Sequence, residues 1–320
     1  MEICPNHADM YQQLRRVQVT WRVLPNERIS WEEIAQKMAA QRSICTIVNM
    51  KKHAKKLFDA LKLVCETESV FYITTELCPA HRRVVIEQVK KRLRDGLPCR
   101  VVATQCIEAG VDLDFDSVFR ALAPLESIIQ AVGRCNRNGR HPEGGQVLVF
   151  LPDEDNLYPD NWYNKAATLV SALHIEKPID LMNPSDIQRY YQKLFWKLKG
   201  EKKLSEAIQM QDYAGAEKHY RIIKNDGVQV LVPYEPENKL FEKLKEEALE
   251  NGVTAKWMHE AAALCVTAYA NDDFNCYAEQ LYFAGKRNEG RQPSGYWVLR
   301  RKEDYHMDTG MQLKNDDCMW

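Results

Sequence analysis

Residues 100–140 read RVVATQCIEAGVDLDFDSVFRALAPLESIIQAVGRCNRNGR, and the fold is decided there. Arg100-Val101-Val102-Ala103 is a short β-branched run that stops at Thr104-Gln105. Ser117-Val118-Phe119-Arg120-Ala121 is a second such run, and 125–132 takes the spacing of a helix. The same alternation continues on both sides. Towards the N-terminus, 17–23 reads as a strand, and Ser30 with Glu33 forms an S-x-x-E capping box opening a helix to about residue 40. A β-branched run at 44–48 precedes a helix at 51–63 that sets Ala54, Leu57, Phe58 and Leu61 on one face. The next strand is 70–74. Pro79 suits the first turn of a helix reaching residue 94, closed by Asp95-Gly96. A last strand lies at 147–151. Short apolar strands alternating with helices predict an α/β fold, a parallel sheet covered on both faces. Ligands of such sheets sit beyond the carboxyl ends of the strands, so the loops there are the place to look for function.

After Pro152 the pattern changes. Helices are expected at 161–173, 185–198, 203–212, 236–250 and 255–269, with strands at 228–232, 280–283 and 295–300 and turn signals at Asp226-Gly227 and Ser294-Gly295. A chain of 320 residues divides naturally into two domains. The expected division is a sheet lobe at 1–152, followed at 153–320 by linker helices and a mostly helical, mixed accessory domain. Composition excludes disorder, with 45% hydrophobic and 28% charged residues. The longest uncharged stretch, near 261–270, is about half the ~20 residues a membrane span needs. The N-terminus has no basic-then-apolar leader pattern. A cytoplasmic protein without membrane contact is expected. Net charge is −1, split into +5 over 1–150 and −6 over 151–320, so the first half permits contact with phosphate. Ten cysteines include no C-x-x-C pair and read as reduced, mostly buried thiols.

The chemistry concentrates in 100–140. Thr104-Gln105 places a hydroxyl, an amide and freed backbone N–H groups at the end of a strand, where they can meet an anion. Gly110 permits a left-handed or tight backbone before the next strand. Gln130, Arg134 and Arg137 are spaced to share one face of a helical turn, which would form a planar, charge-assisted clamp for phosphate oxygens. Two arginines one turn apart are more often a solvated face paired with acids; the order of the whole block weighs against that here.

The block A-T-Q-x-x-E-A-G-V-D-L-D-F followed by Q-A-V-G-R-C-N-R-N-G-R resembles motifs V and VI in the second RecA-like lobe of superfamily 2 helicases. More narrowly, it is similar to the CRISPR-associated helicase-nuclease of type I interference systems. Cys45-Thr46-Ile47-Val48-Asn49 followed by Lys51-Lys52-His53-Ala54 resembles that family's motif IV. Tyr72 through Arg82 resembles its strand–loop–helix segment that touches the DNA backbone. Val228–Tyr234, and Tyr305 with Gly310, resemble pieces of its C-terminal domain. Met50 departs from the pattern, since the family usually carries a small hydroxyl residue after the Asn.

The resemblance implies that Arg134 and Arg137 reach the γ-phosphate of ATP bound on a first lobe, with Gln130 orienting the phosphate or the attacking water. It implies that Gly110, Asp112 and Gly133 line the nucleotide side of the cleft. Asn49, Thr74, Thr75, Arg82, Thr104 and Gln105 would hold the backbone of single-stranded DNA. For Thr74 and Thr75, plain β-propensity is an equal alternative. Lys51, Lys52, Lys55 and Lys56 read as a solvated helix face.

No P-loop, G-x-x-x-x-G-K-[ST], is present, and no D-E-x-[DH] magnesium box follows an apolar strand. Asp153-Glu154-Asp155-Asn156 comes nearest, and it reads as an acidic interdomain loop. No histidine precedes an aspartate, as the family's metal nuclease would require. Half a motor is therefore expected, beginning where the family's second lobe begins and ending where the family ends. It would hold no cofactor or metal alone, and would work with ATP and Mg2+ bound mainly by a separate P-loop lobe. The implied partners are that lobe, the nuclease domain, single-stranded DNA and the CRISPR guide-RNA surveillance complex. Two other readings stand beside it: a non-catalytic DNA- or protein-binding module, and another superfamily 2 branch such as a repair helicase. The R-C-N-R sequence weighs against the last.

Overall fold

The computed structural model describes residues 15–108, 110–197, 202–219, 227–269, 274–285 and 292–313. Strands β1 (Val17–Arg22), β2 (Ser43–Ile47), β3 (Val70–Ile73), β4 (Cys99–Ala103), β5 (Ser117–Ala121) and β6 (Gly145–Phe150) form one sheet in the order β1-β6-β5-β2-β4-β3. Every neighbouring pair in it is parallel, giving the RecA-like α/β arrangement. Side chains of successive residues enter different cores. In β6, Val147 and Val149 pack on one face and Leu148 and Phe150 on the other. Helices α1 (Trp31–Ala39) and α2 (Lys51–Lys62) cover the second of these faces with Ile34, Met38, Leu57 and Leu61. The first is covered by α3 (Pro79–Arg94), α4 (Leu125–Val132), α5 (Asn161–Glu176) and α6 (Pro184–Lys197). The linker helices at 161–197 thus share the core of the parallel sheet.

Local chemistry accounts for the boundaries. Ser30 caps α1 by accepting from the Glu33 N–H at 3.2 Å. Only half of the expected capping box forms, because the Glu33 carboxylate turns to Arg22 and Lys37. Pro79 opens α3, where its missing N–H costs nothing.

Beyond α7 (Lys202–Gln209) and α8 (Tyr213–His219), a second core gathers around β7 (Val228–Leu231), β8 (Cys265–Ala268), β9 (Ala278–Tyr282) and β10 (Pro293–Leu299). Their order is β8-β7-β10-β9, with only β7 and β10 parallel. Helices α9 (Asn238–Asn251) and α10 (Ala255–Ala261) pack on this mixed sheet. The helix expected over 255–269 ends at Ala261. Its last residues become β8, because Cys265-Val266-Thr267 finds an open edge on β7 and the ladder outweighs helical spacing. Ser294-Gly295, expected as a turn, lies within β10, where Gly295 takes φ +76° at an irregularity in the pairing with β9. Asp226 lies outside the described residues.

A final hairpin, β11 (Tyr305–His306) with β12 (Gly310–Met311), fastens the second core to the loop after β3. The Cys78 N–H donates to the Tyr305 hydroxyl at 3.1 Å, and that hydroxyl also meets His81 Nδ1 at 2.9 Å. The Met311 N–H donates to the Glu76 carbonyl at 3.0 Å. Gly310, at φ +79°, lies so close to that carbonyl that a Cβ would overlap it. No helix among the described residues is long and apolar enough to cross a membrane. The cysteines among the described residues are all free thiols, most of them buried.

Candidate functional site

Because β5, β2, β4 and β3 are neighbours, the loops at their carboxyl ends form a row. That row brings together Asn49 after β2, Thr104 and Gln105 after β4, and Thr74 and Thr75 after β3, with Arg82 on the first turns of α3. Their side chains divide into two sets. Asn49 is buried: its amide donates to the Leu122 carbonyl at 2.9 Å, and its Oδ1 accepts from Arg120 at 2.7 Å and from the Tyr163 hydroxyl at 3.0 Å. Thr74 is buried too, accepting from the Glu76 N–H at 3.1 Å and donating to that residue's carboxylate at 3.2 Å. Thr104 is buried beside Cys106. These three side chains are consumed within the fold, so a direct contact with DNA through them is not what the structure offers. Thr75 is exposed, and Arg82 and Gln105 are half-buried. Gln105 donates to the Asn49 carbonyl at 3.0 Å, which leaves its amide oxygen open to a ligand.

The arginines are arranged differently from the expected helical face. Helix α4 stops at Val132, Gly133 closes it, and Gln130 is exposed on its last turn. Residues 134–140 run as a loop with Asn136 in the left-handed region at φ 46°, so Gln130, Arg134 and Arg137 do not share a helix. A bridge between Phe115 and Cys135 takes up the chain in place of the next helical turn. Arg134 is 7% exposed, and its guanidinium donates to the carbonyls of Glu108, at 2.7 Å, and Val111. Burial, reinforced by the nearby charge of Arg137, lowers its pKa. The side chain of Arg137 is 45% exposed, and its nearest acid is Asp112 at 3.5 Å, itself 82% exposed. Asp114 shapes the loop by accepting from the N–H groups of Arg137 at 2.7 Å and Asn138 at 3.2 Å. Gly110 takes φ +76° with open space where a Cβ would stand.

Several residues that sequence reasoning passed over organise this edge. Arg120, fully buried on β5, lies 3.0 Å from the Glu108 carboxylate and donates to Asn49, to the Tyr163 hydroxyl at 2.9 Å and to the carbonyls of Ile47 and Ala121. Burial raises the pKa of Glu108 against the opposing pull of Arg120. A charge inside an otherwise apolar strand was the one available signal for this pair. Tyr163, from α5, had none. Lys51 departs from the expected solvated face: it is half-buried, and burial lowers its pKa although the Glu76 carboxylate opposes the shift. Glu76 is buried and held by Tyr72 and Thr74, with its pKa raised by burial. The acidic stretch after β6 also has a structural use, since Glu154 accepts from Lys56 at 2.6 Å and from Trp31 Nε1 at 3.1 Å.

Chemically, the Arg137 loop, at the amino ends of β1, β5 and β6, presents a half-exposed guanidinium paired only with the exposed Asp112, which suits one end of a polyphosphate and does not enclose it. No cluster of three or more His, Cys, Asp or Glu suited to a metal ion occurs among the described residues.

Residues 40–140 match the family model described as CRISPR-associated nuclease/helicase Cas3, C-terminal. The chain is 50% identical over 84 residues to the CRISPR-associated nuclease/helicase Cas3 of Haloferax volcanii, covering 24% of this chain and 9% of that protein. It is 28% identical over 118 residues to the protein of the same name from Methanothermobacter thermautotrophicus, covering 36% and 14%. In fold it is similar to the crystal structure of T. fusca Cas3-ATP, with a TM-score of 0.58 at 15% identity over 89% of this chain and 39% of that one. The chain therefore spans about two fifths of that solved relative.

Proposed function

With a Cas3-like C-terminal helicase domain at residues 40–140 as the premise, we propose that this chain is the C-terminal half of an ATP-dependent single-stranded-DNA translocase or helicase of CRISPR interference. In this reading 1–152 is the second helicase lobe, and 153–320 supplies the helices fastened to it and the accessory domain. The observation that carries the reading is that one sheet holds both groups: the half-exposed Arg137, paired only with the exposed Asp112, on the loop at the amino ends of β1, β5 and β6, and Thr75, Arg82 and Gln105 beyond the carboxyl ends of β3 and β4.

Arg137 is the residue that reaches the phosphate, and Arg134 fixes the loop that carries it by tying 134–137 to the carbonyls of 108 and 111. Gln130 orients the phosphate or water, while Gly110, Gly133 and Asp112 line the cleft. Thr75, Arg82 and Gln105 hold the DNA backbone; Asn49, Thr74 and Thr104 hold the loops that present them. ATP with Mg2+, bound mainly by a P-loop lobe, supplies the phosphoryl group whose hydrolysis drives the cycle. This chain's part is to make hydrolysis depend on lobe closure, since Arg137 meets the phosphate only when the lobes meet. Each closure shifts the grip of the strand-end loops along one DNA strand. The setting is the cytoplasm, with the P-loop lobe, the nuclease domain and a guide-RNA surveillance complex as partners.

The test is single-stranded-DNA-stimulated ATPase, measured with the chain alone and with a P-loop lobe added in trans. Activity in the mixture only is the expected result. Arg137→Ala should abolish it while leaving DNA affinity within about a few fold, and unchanged ATPase would sink the assignment. DNA binding without ATPase in either sample replaces the motor with a non-catalytic binding module.

A further inference from the structure

Resting on that reading, we propose that Arg120 and Tyr163 are positioning residues that join the DNA-facing loops and the arginine loop into one responsive body. Arg120 sits on β5 with no exposed surface, yet its guanidinium reaches four structural units. It meets Asn49 at the end of β2 at 2.7 Å, the carboxylate of Glu108 after β4 at 3.0 Å, the Tyr163 hydroxyl of α5 at 2.9 Å, and the carbonyl of Ala121 on its own strand at 3.0 Å. From there the network leaves in two directions. One arm runs from Asn49, whose carbonyl accepts from Gln105, to the polar groups that face DNA. The other runs through Glu108, whose carbonyl accepts from Arg134, to the loop carrying Arg137.

A planar five-donor fork is the side chain that can hold an amide, a carboxylate and a phenol at once. Tyr163 completes the set: its hydroxyl accepts from Arg120, donates to Asn49 Oδ1 at 3.0 Å and lies 3.5 Å from the Gln105 amide. A shift of Gln105 towards a bound backbone therefore pulls on Asn49 and Tyr163, and through Arg120 on Glu108 and the Arg134 clip. A buried network moves as a unit, because each partner lost leaves a desolvated polar group behind.

Amide hydrogen exchange of the whole chain tests this, with and without an oligothymidylate. In the wild type, bound oligonucleotide should slow exchange at 134–138 as well as at 104–105. In Tyr163→Phe, which keeps the ring and deletes the hydroxyl, oligonucleotide affinity should stay within about a few fold while the slowing at 134–138 shrinks by about 5-fold or more. Arg120→Lys, which keeps the charge for Glu108 but lacks the fork, should lose the same transfer. A purely structural role would change exchange equally with and without oligonucleotide, and that result overturns the proposal. So does a wild type that binds DNA with no response at 134–138, which leaves the DNA reading standing. A wild type that binds no oligonucleotide removes that reading, and this proposal with it.

Discussion

Arg120 and Arg137 lie 17 positions apart and carry the same side chain, yet they occupy opposite environments. Arg120 is fully buried, and its two terminal nitrogens are taken up by an amide, a phenol and two carbonyls and by the ion pair with Glu108, while its Nε has no hydrogen-bond partner among the described residues. Arg137 is nearly half exposed, with one loose acidic neighbour at 3.5 Å. Arg134 falls between them, buried but bonded only to backbone carbonyls. The gradient separates residues that build the edge from the one that can engage a ligand, since a guanidinium already matched inside the fold has few donors to offer. Unfolding in urea is the direct way to break this comparison. Arg120→Met leaves Glu108 buried without its partner and should cost about 3–5 kcal/mol. Arg137→Met should stay within about 0.5 kcal/mol. Equal costs would mean that exposure does not separate the two roles.

A second pair sharpens the contrast between presenting and fastening. Gly110 and Gly310 both have positive φ, at +76° and +79°. Around Gly110 a Cβ meets open space, so Gly110→Ala should cost about 1–2 kcal/mol of backbone strain alone. At Gly310 the added Cβ would collide with the Glu76 carbonyl that anchors the final hairpin. Gly310→Ala should therefore cost more than Gly110→Ala, about 2–3 kcal/mol, and should raise hydrogen exchange at Met311. Equal melting shifts for the two variants would show that the hairpin is not held by that contact.

These contrasts also mark what the sequence made legible. The parallel sheet and most of its helices were readable within a few residues, because strand and helix periods alternate cleanly from 17 to 151 and Ser30, Pro79 and Asp95-Gly96 punctuate them. β8 was not, since a strand that forms by pairing with β7 carries no local period that sets it apart from the end of a helix. At the edge, residue types were readable but side-chain direction was not. Asn49, Thr74 and Thr104 have the right chemistry for phosphate and sit on the right loops, but Leu122 and Arg120, distant in sequence, turn Asn49 inward, while Thr74 and Thr104 bond to Glu76 and Cys106 two residues on, in turns whose side-chain directions carry no sequence period. Spacing placed Gln130, Arg134 and Arg137 on one helix. The helix ends at Val132 as its own spacing predicts, the bridge between Phe115 and Cys135 takes the place of a further turn, and no pattern within 125–140 announces a partner 20 residues upstream.

The smallest effect concerns a buried residue on the other face of the same sheet. His53 on α2 is buried against Trp31, with ring centroids 5.4 Å apart, and its Nε2 has no hydrogen-bond partner among the described residues. Burial pushes its pKa down to about 4, with Lys52 and Lys56 adding to the shift and Glu154 opposing it. An unfolded histidine binds its proton near pH 6.5. Between pH 6.5 and about 4 the unfolded chain therefore holds the proton that the folded chain refuses, so His53's contribution is present above 6.5 and is lost as pH falls. Glu154, lowered mainly by its hydrogen bond from Lys56, loses its contribution below pH 4.5, a lower window. Glu76 and Glu108, raised by burial, act with the opposite sign, their effect on stability growing less favourable as pH rises past 4.5. Total slopes thus mix several groups, and the difference between wild type and His53→Phe isolates one of them. The variant should gain about 1–2 kcal/mol relative to wild type on going from pH 7 to pH 4.5, read from urea midpoints. Parallel curves across that interval would mean that the ring takes up its proton in the folded chain as readily as in water, and that the packing against Trp31 does not exclude the charged form.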